Sequence, residues 1–286
     1  MAISASIPTM WAAQLLAHLD TAMVYVPAFT NNNYEGEVRN AGDTVKILQL
    51  TRPTNAIKTY TGAAITYDSL SDNSITLTIN QKKHYSFAIP DIENQLSMIN
   101  LATEAGREYG YAAAKHFDQH IAAFYTDADT ANLYGSDATP IVVGGGAGEV
   151  AAYDVFLELN QRLSEADAPD GNRRIVVPHW FLRRLKKELG GLRETPMGDT
   201  VTVGGTVTMV DGVQIYTSNH VPNTTGTKYK VMMGNPVITH ARVLQSVESM
   251  RAESTFDTLV RGLFVYGSLV VQPKELAVAT LNKGTL

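Results

Sequence analysis

The period of the apolar positions changes several times along this chain. Near the start, Trp11, Leu15 and Leu19 recur every four residues, which predicts a short helix with one apolar stripe. A polar, irregular stretch follows at Phe29-Thr30-Asn31-Asn32-Asn33-Tyr34. Residues 1–40 therefore read as an arm. It cannot bury itself and must lie on its own body or on a neighbouring chain. From Gly42 to Ile89 the period drops to two. Asp43–Leu48 is rich in β-formers, and Ile75-Thr76-Leu77-Thr78-Ile79 puts aliphatic residues on one face and threonines on the other. Ile65-Thr66-Tyr67 reads as another strand, joined to it by the polar turn Ser71-Asp72-Asn73-Ser74. A ribbon with so few large apolar residues is marginal alone in water, which points to a partner surface outside the subunit.

The period then lengthens. Asp91 can cap a helix that runs to about Tyr125 without a proline, with Ile92, Leu96, Ile99, Thr103, Gly106, Gly110, Ala113, Phe117, His120 and Phe124 on one stripe. At 1.5 Å per residue such a helix is about 50 Å long, a rigid spine. The small residues in mid-stripe would let another element approach closely. After a loop ending in Gly144-Gly145-Gly146, which reads as a flexible connection, a second helix is expected near Glu149–Ala166. The strand Arg174-Ile175-Val176-Val177 comes next, and Pro178 opens a helix over His179–Leu189. Strands are expected again at 201–210, 213–217, 229–234, 238–248, 259–271 and 276–281. The fold class is α+β, and no internal repeat breaks it up.

Composition narrows the function. The chain has 286 residues, 44% hydrophobic and 18% charged, enough for a real core. It contains no cysteine, so disulfides and thiolate metal sites are excluded. Twenty-three Lys and Arg against 28 Asp and Glu give a net charge of −5, which disfavours gripping phosphates as the main task. The start lacks the basic and unbroken apolar regions of a signal peptide, and no stretch is apolar enough for a membrane span.

Chemical motifs are weak. His116-Phe-Asp-Gln-His120 has the i, i+4 spacing of two metal ligands, but Phe117 stands where a zinc protease carries its Glu. Asp127-Ala-Asp129-Thr-Ala131-Asn132 lacks the Gly and Glu of a calcium loop. Arg183, Arg184, Lys186 and Lys187 read as a solvated helix face, with a contact to a neighbouring subunit as the competing reading. No nucleophile elbow or triad order is present, so no catalytic residue, cofactor or metal is expected.

The order of parts (arm, ribbon, spine helix, α/β unit, returning strands) resembles the Hong Kong 97-like fold of major capsid proteins from tailed double-stranded-DNA bacteriophages. Several stretches share the wording of that family. Tyr34-Glu35-Gly36-Glu37-Val38 with Ala41–Ile47 resembles the entry to its extended loop, and Ile65–Asp68 with Leu77–Phe87 the return. Ile89-Pro90-Asp91-Ile92-Glu93 is similar to the spine-helix start, and Leu259–Gly267 with Val270–Pro273 to the final strands. The resemblance implies an N-terminal arm over 1–40 and an extended β-loop over 41–89. It implies a peripheral domain over 90–134 and 236–286, and an axial domain over 135–235. It further implies self-assembly into pentamers and hexamers of an icosahedral head in the virion, assembled in the host cytoplasm. Partners would be copies of the chain, a separate scaffolding protein (since the chain starts at the arm), a portal protein and a decoration protein, with packaged DNA only in non-specific proximity and no membrane. Trp11, Tyr34, Arg52, Lys58 and Tyr60 are the candidate inter-subunit contacts. Lys58 lies near the loop tip, but no partner for an isopeptide crosslink can be matched. The alternatives are an encapsulin-like compartment shell and, of another class, a soluble α+β enzyme.

Overall fold

The computed structural model describes residues 23–31, 43–50, 59, 72–90, 101–190 and 209–284. Two sheets organise them. The first is four-stranded, in the order β1 (Thr30–Asn31), β12 (Ile238–Arg251), β13 (Asp257–Val270), β4 (Gln81–Pro90). β12 and β13 form a long antiparallel hairpin, β4 is antiparallel to β13, and β1 is parallel to β12. A separate two-stranded ribbon pairs β2 (Thr44–Leu50) with β3 (Asp72–Thr78).

The second sheet runs β5 (Leu133–Tyr134), β14 (Leu276–Lys283), β11 (Lys228–Gly234), β7 (Arg174–Val177), β9 (Val213–Thr217), β8 (Met209–Val210). β6 (Ile141–Val143) adds to β14, and β10 (Asn223–Thr224) to β11. Its central strands are apolar at successive positions because both faces are covered. Val176, Met232 and Val278 point into one core. Their neighbours Ile175, Val177, Val231, Met233, Ala277 and Ala279 point into another. The second core is closed by α3 (Ala152–Glu165) and α4 (His179–Gly190), through Phe156, Leu159, Phe181 and Leu185. The first is closed by the short helix α1 (Tyr25–Phe29) and the long helix α2 (Leu101–Ala122), through Phe29, Phe117 and Ile121. At its C-terminal end α2 tightens into a 3-10 turn over Ala123–Asp127, close to the end expected near Tyr125.

Several expectations need correction. Part of the supposed arm is core: Tyr25, Ala28 and Phe29 are fully buried, and Thr30 and Asn31 pair with β12. Asp72, Asn73 and Ser74 are not a turn but the start of β3, facing Leu50, Gln49 and Leu48. Polar residues were mistaken for a turn because a strand of this kind needs only one apolar face. β14, assigned with 236–286 to the peripheral unit, lies inside the second sheet and pairs with the whole of β11 through Leu276 to Asn282. The long-helix stripe contains Gly106, Gly110, Ala114, Phe117 and Ile121 as buried positions. A Cβ at Gly106 would meet nothing within 4 Å among the described residues. Arg184 is buried, stacked on Trp180 at 5.3 Å and donating to the Gly284 carbonyl, so the basic cluster on α4 is not wholly a solvated face. Asp129 caps the 3-10 turn Thr130–Asn132, and the buried Asn132 amide donates to the Lys274 carbonyl at 2.7 Å.

Candidate assembly surface

The alternation along β13 gives the first sheet two different faces. Leu263, Val265 and Leu269 face the ribbon, while Phe264, Tyr266 and Val270 face α2. On the ribbon side, Val45, Ile47, Leu77 and Ile79 are at most 6% exposed and pack on Ala241 and Val265. Each such burial stabilises by on the order of 1.5–3 kcal/mol. The base of the ribbon is therefore anchored to its own subunit, contrary to the expectation of a partner surface for the whole ribbon. Gly267 makes the close seat possible. A Cβ there would stand 2.5 Å from the Thr78 carbonyl oxygen.

On the helix side lies a cluster of rings. Phe117 meets Tyr266 edge-on at 5.0 Å and Phe264 at 5.6 Å. His116 Nε2 and the Tyr266 hydroxyl share a hydrogen bond of 2.8 Å. His120 stands edge-on to Tyr266 at 4.9 Å. His240, fully buried on β12, uses Nδ1 on Ser268 Oγ at 2.8 Å. The Nε2 atoms of His120 and His240 have no hydrogen-bond partner among the described residues. Burial pushes the pKa of His240 down to about 3, helped by Arg242 and His120. Burial also lowers those of His116 and His120, with Lys83 adding to both. The i, i+4 histidines thus join a mostly neutral packing layer. Among the described residues no group of three His, Asp or Glu could hold a metal ion.

Between β4 and α2 the same face opens as a groove of about 420 Å³. Its floor is Phe117, Phe264 and Tyr85, and Lys83, His84 and His116 are at its rim. Tyr85 lies over Gly262, where a Cβ would stand 2.3 Å from the ring. Burial raises the Tyr85 pKa to about 12. Tyr109 stacks on Phe87 at 4.8 Å and its hydroxyl donates to the Ser86 carbonyl at 3.3 Å, closing the groove wall. The other notable surface feature is the tip of the β12–β13 hairpin, where Phe256 is 78% exposed.

All five residues expected at subunit contacts, Trp11, Tyr34, Arg52, Lys58 and Tyr60, lie outside the described residues. Sequence reasoning missed Phe256, which breaks no pattern, and the role of Asp118, which sits inside the His116–His120 stretch but was not read as a cap. Gly262 and Gly267 sat in a stretch already singled out, Leu259–Gly267, but their separate roles depend on which face of β13 each occupies.

A spine helix and a rooted ribbon on opposite faces of one sheet, with a second sheet beyond, define a Hong Kong 97-like α+β shell subunit. The model of the family described as phage capsid protein matches residues 74–279. A solved structure from Mycobacterium phage Che8 is 26% identical, with a TM-score of 0.68 and 90% of each chain covered. The capsid of the cyanophage P-SCSP1u is 17% identical, with a TM-score of 0.68, covering 92% of this chain and 89% of that one. The virus-like particle from Pyrococcus furiosus is 12% identical, with a TM-score of 0.54, covering 93% of this chain and 96% of that one. Among curated proteins, none matches the chain. The chain belongs to the phage capsid protein family, as a major capsid protein. Its partners are first of all copies of itself, and its place is the virion. Among the described residues no helix is long and apolar enough to cross a membrane.

Proposed function

We propose that this subunit builds pentamers and hexamers that close into an icosahedral head around double-stranded DNA. The observation that carries the reading is the ribbon. Leu50 and Asp72 are directly paired, so a two-residue turn would close the hairpin there. Residues 51–71 are inserted instead. Connections longer than about 12–15 residues are uncommon unless they have a task. With a root fixed on its own sheet, that insertion is suited to lie over a neighbour, with Arg52, Lys58 and Tyr60 in contact there. Trp11 and Tyr34 would serve the same purpose from the N-terminal segment. Such contacts are heterologous, one patch against a different patch, and close into rings when the rotation allows.

In this reading 90–134 and most of 236–286 form the peripheral domain, and 135–235 the axial domain at the capsomer centre. β14 ties the two together. A separate scaffolding protein, a portal and a decoration protein complete the assembly in the host cytoplasm. The role is structural, with no catalysis. Negative-stain electron microscopy of the protein expressed alone and with a candidate scaffold tests the reading. Shells, or rings of five and six, are expected, and a small discrete oligomer under both conditions overturns it.

A further inference from the structure

We propose that the tip of the β12–β13 hairpin inserts Phe256 into the groove between β4 and α2 of a neighbouring copy. This inference rests on the assembly reading above and names one contact within it.

Phe256 is the most exposed large apolar side chain among the described residues, and it sits at the end of a hairpin that carries it away from the core. An isolated exposed apolar residue is ordinary on a protein surface. This one is flanked by Glu253 and Asp257, and no cation lies between Arg251 and Asp257. The groove has the complementary character. It is floored with aromatic rings, Lys83 stands at its rim as a cation, and among the described residues no carboxylate lines it. An aromatic anchor in an aromatic pocket, with acidic residues beside the anchor and a lysine at the rim, is the pattern that concentrates binding energy and orients partners at protein interfaces.

The hairpin cannot reach its own groove. Asp257 pairs with Pro90, whereas the groove lies beside Ser86 to Lys83, which pair with Arg261 to Phe264. At about 3.3 Å per residue the separation is roughly 15–25 Å along a continuous ladder. The occupant is therefore the tip of a second copy. Knob and groove are different patches, so the contact is heterologous and propagates around a ring or across a shell.

The absence of native cysteines allows a direct test. Phe256→Cys and Ala112→Cys, both at exposed positions and the second lining the groove, are combined in one chain or mixed as single variants. Mild oxidation of assembled particles is then read on non-reducing gels. Ladders of crosslinked chains are expected from the double variant and dimers from the mixture. Particles of normal form without either overturn the inference. As a second measurement, Phe256→Asp should lower particle yield on the order of tenfold while leaving the subunit folded. Yield equal to that of the unaltered protein also overturns it. Failure of the unaltered protein to form particles would instead sink the assembly reading.

Discussion

Asp118 Oδ1 accepts the Tyr25 N–H at 2.9 Å, so a carboxylate near the C-terminal end of the long helix caps a short helix more than ninety positions earlier in the chain. The same carboxylate takes the Val24 N–H at 2.8 Å through Oδ2 and the Val26 N–H at 3.3 Å through Oδ1. The N-cap residue of that helix, Val24, has no side-chain oxygen to offer. Burial raises the Asp118 pKa, against the pull of the three N–H groups. A second helix is treated alike: Glu188 of α4 accepts the Ala152 and Tyr153 N–H groups at 2.9 and 2.7 Å, where Ala151 provides no cap. Both carboxylates join elements that local sequence leaves unfinished.

Asp118→Ala strands three donors at a buried helix end. A loss of about 2–4 kcal/mol is expected. Urea unfolding of unassembled subunits measures it, and a change below about 0.5 kcal/mol would show the cap to be incidental.

Gly267→Ala places a methyl group against the Thr78 carbonyl, which belongs to backbone and cannot swing away. About 1–3 kcal/mol of destabilisation is expected, with loss of protection in the ribbon amides by hydrogen exchange. Gly262→Ala meets a side chain instead, the Tyr85 ring, so Tyr85→Ala should rescue much of its cost. Equal penalties for Gly262→Ala with and without Tyr85 would contradict that account.

Acidification should loosen the spine helix from its sheet. In the unfolded chain His240 takes a proton near pH 6.5, in the folded subunit only near 3. Between those values the unfolded state binds more protons, so stability falls as pH drops, by about 1.4 kcal/mol per pH unit for this group. Above pH 6.5 it contributes no slope. His116 and His120, shifted the same way, add to the decline. Unfolding midpoints at pH 7, 5.5 and 4.5 should show this, and His240→Phe should flatten the curve. An unchanged slope in that variant would place the acid sensitivity elsewhere.

Replacing residues 51–71 by Asn-Gly should give a folded subunit that forms no shells, because Leu50 and Asp72 are already paired. Circular dichroism checks the first half and electron microscopy the second. Normal particles from this variant would remove the insertion from the assembly mechanism. Extending the deletion to residue 84 would make a poorer test, since it also removes the buried Leu77 and Ile79 and the first four residues of β4.

The helices over Ala152–Glu165 and His179–Gly190 and the strands from Val213 onward, apart from the two-residue β10, were legible because each carries a clear local period and terminates at turn residues. The resemblance to the capsid family was legible for a related reason: its stretches lie in order along the chain. By contrast, the turn expected at Ser71–Ser74 failed because Asp72–Ser74 take their conformation from pairing with β2, a non-local cause.

By itself the sequence determined the α+β class, most of the succession of elements and the absence of thiol chemistry, which follow from residue type and short-range spacing, and its ordered stretches carried the resemblance to the shell-building family. The tertiary structure alone decided that α1 belongs to the core, that β14 joins the second sheet, and that the ribbon is rooted on its own subunit. It alone brought Asp118 to Tyr25, and His240 beside His120 and Tyr266. These are choices of partner rather than of conformation. A carboxylate or a glycine reads the same in any window of sequence until long-range packing determines which distant group it meets.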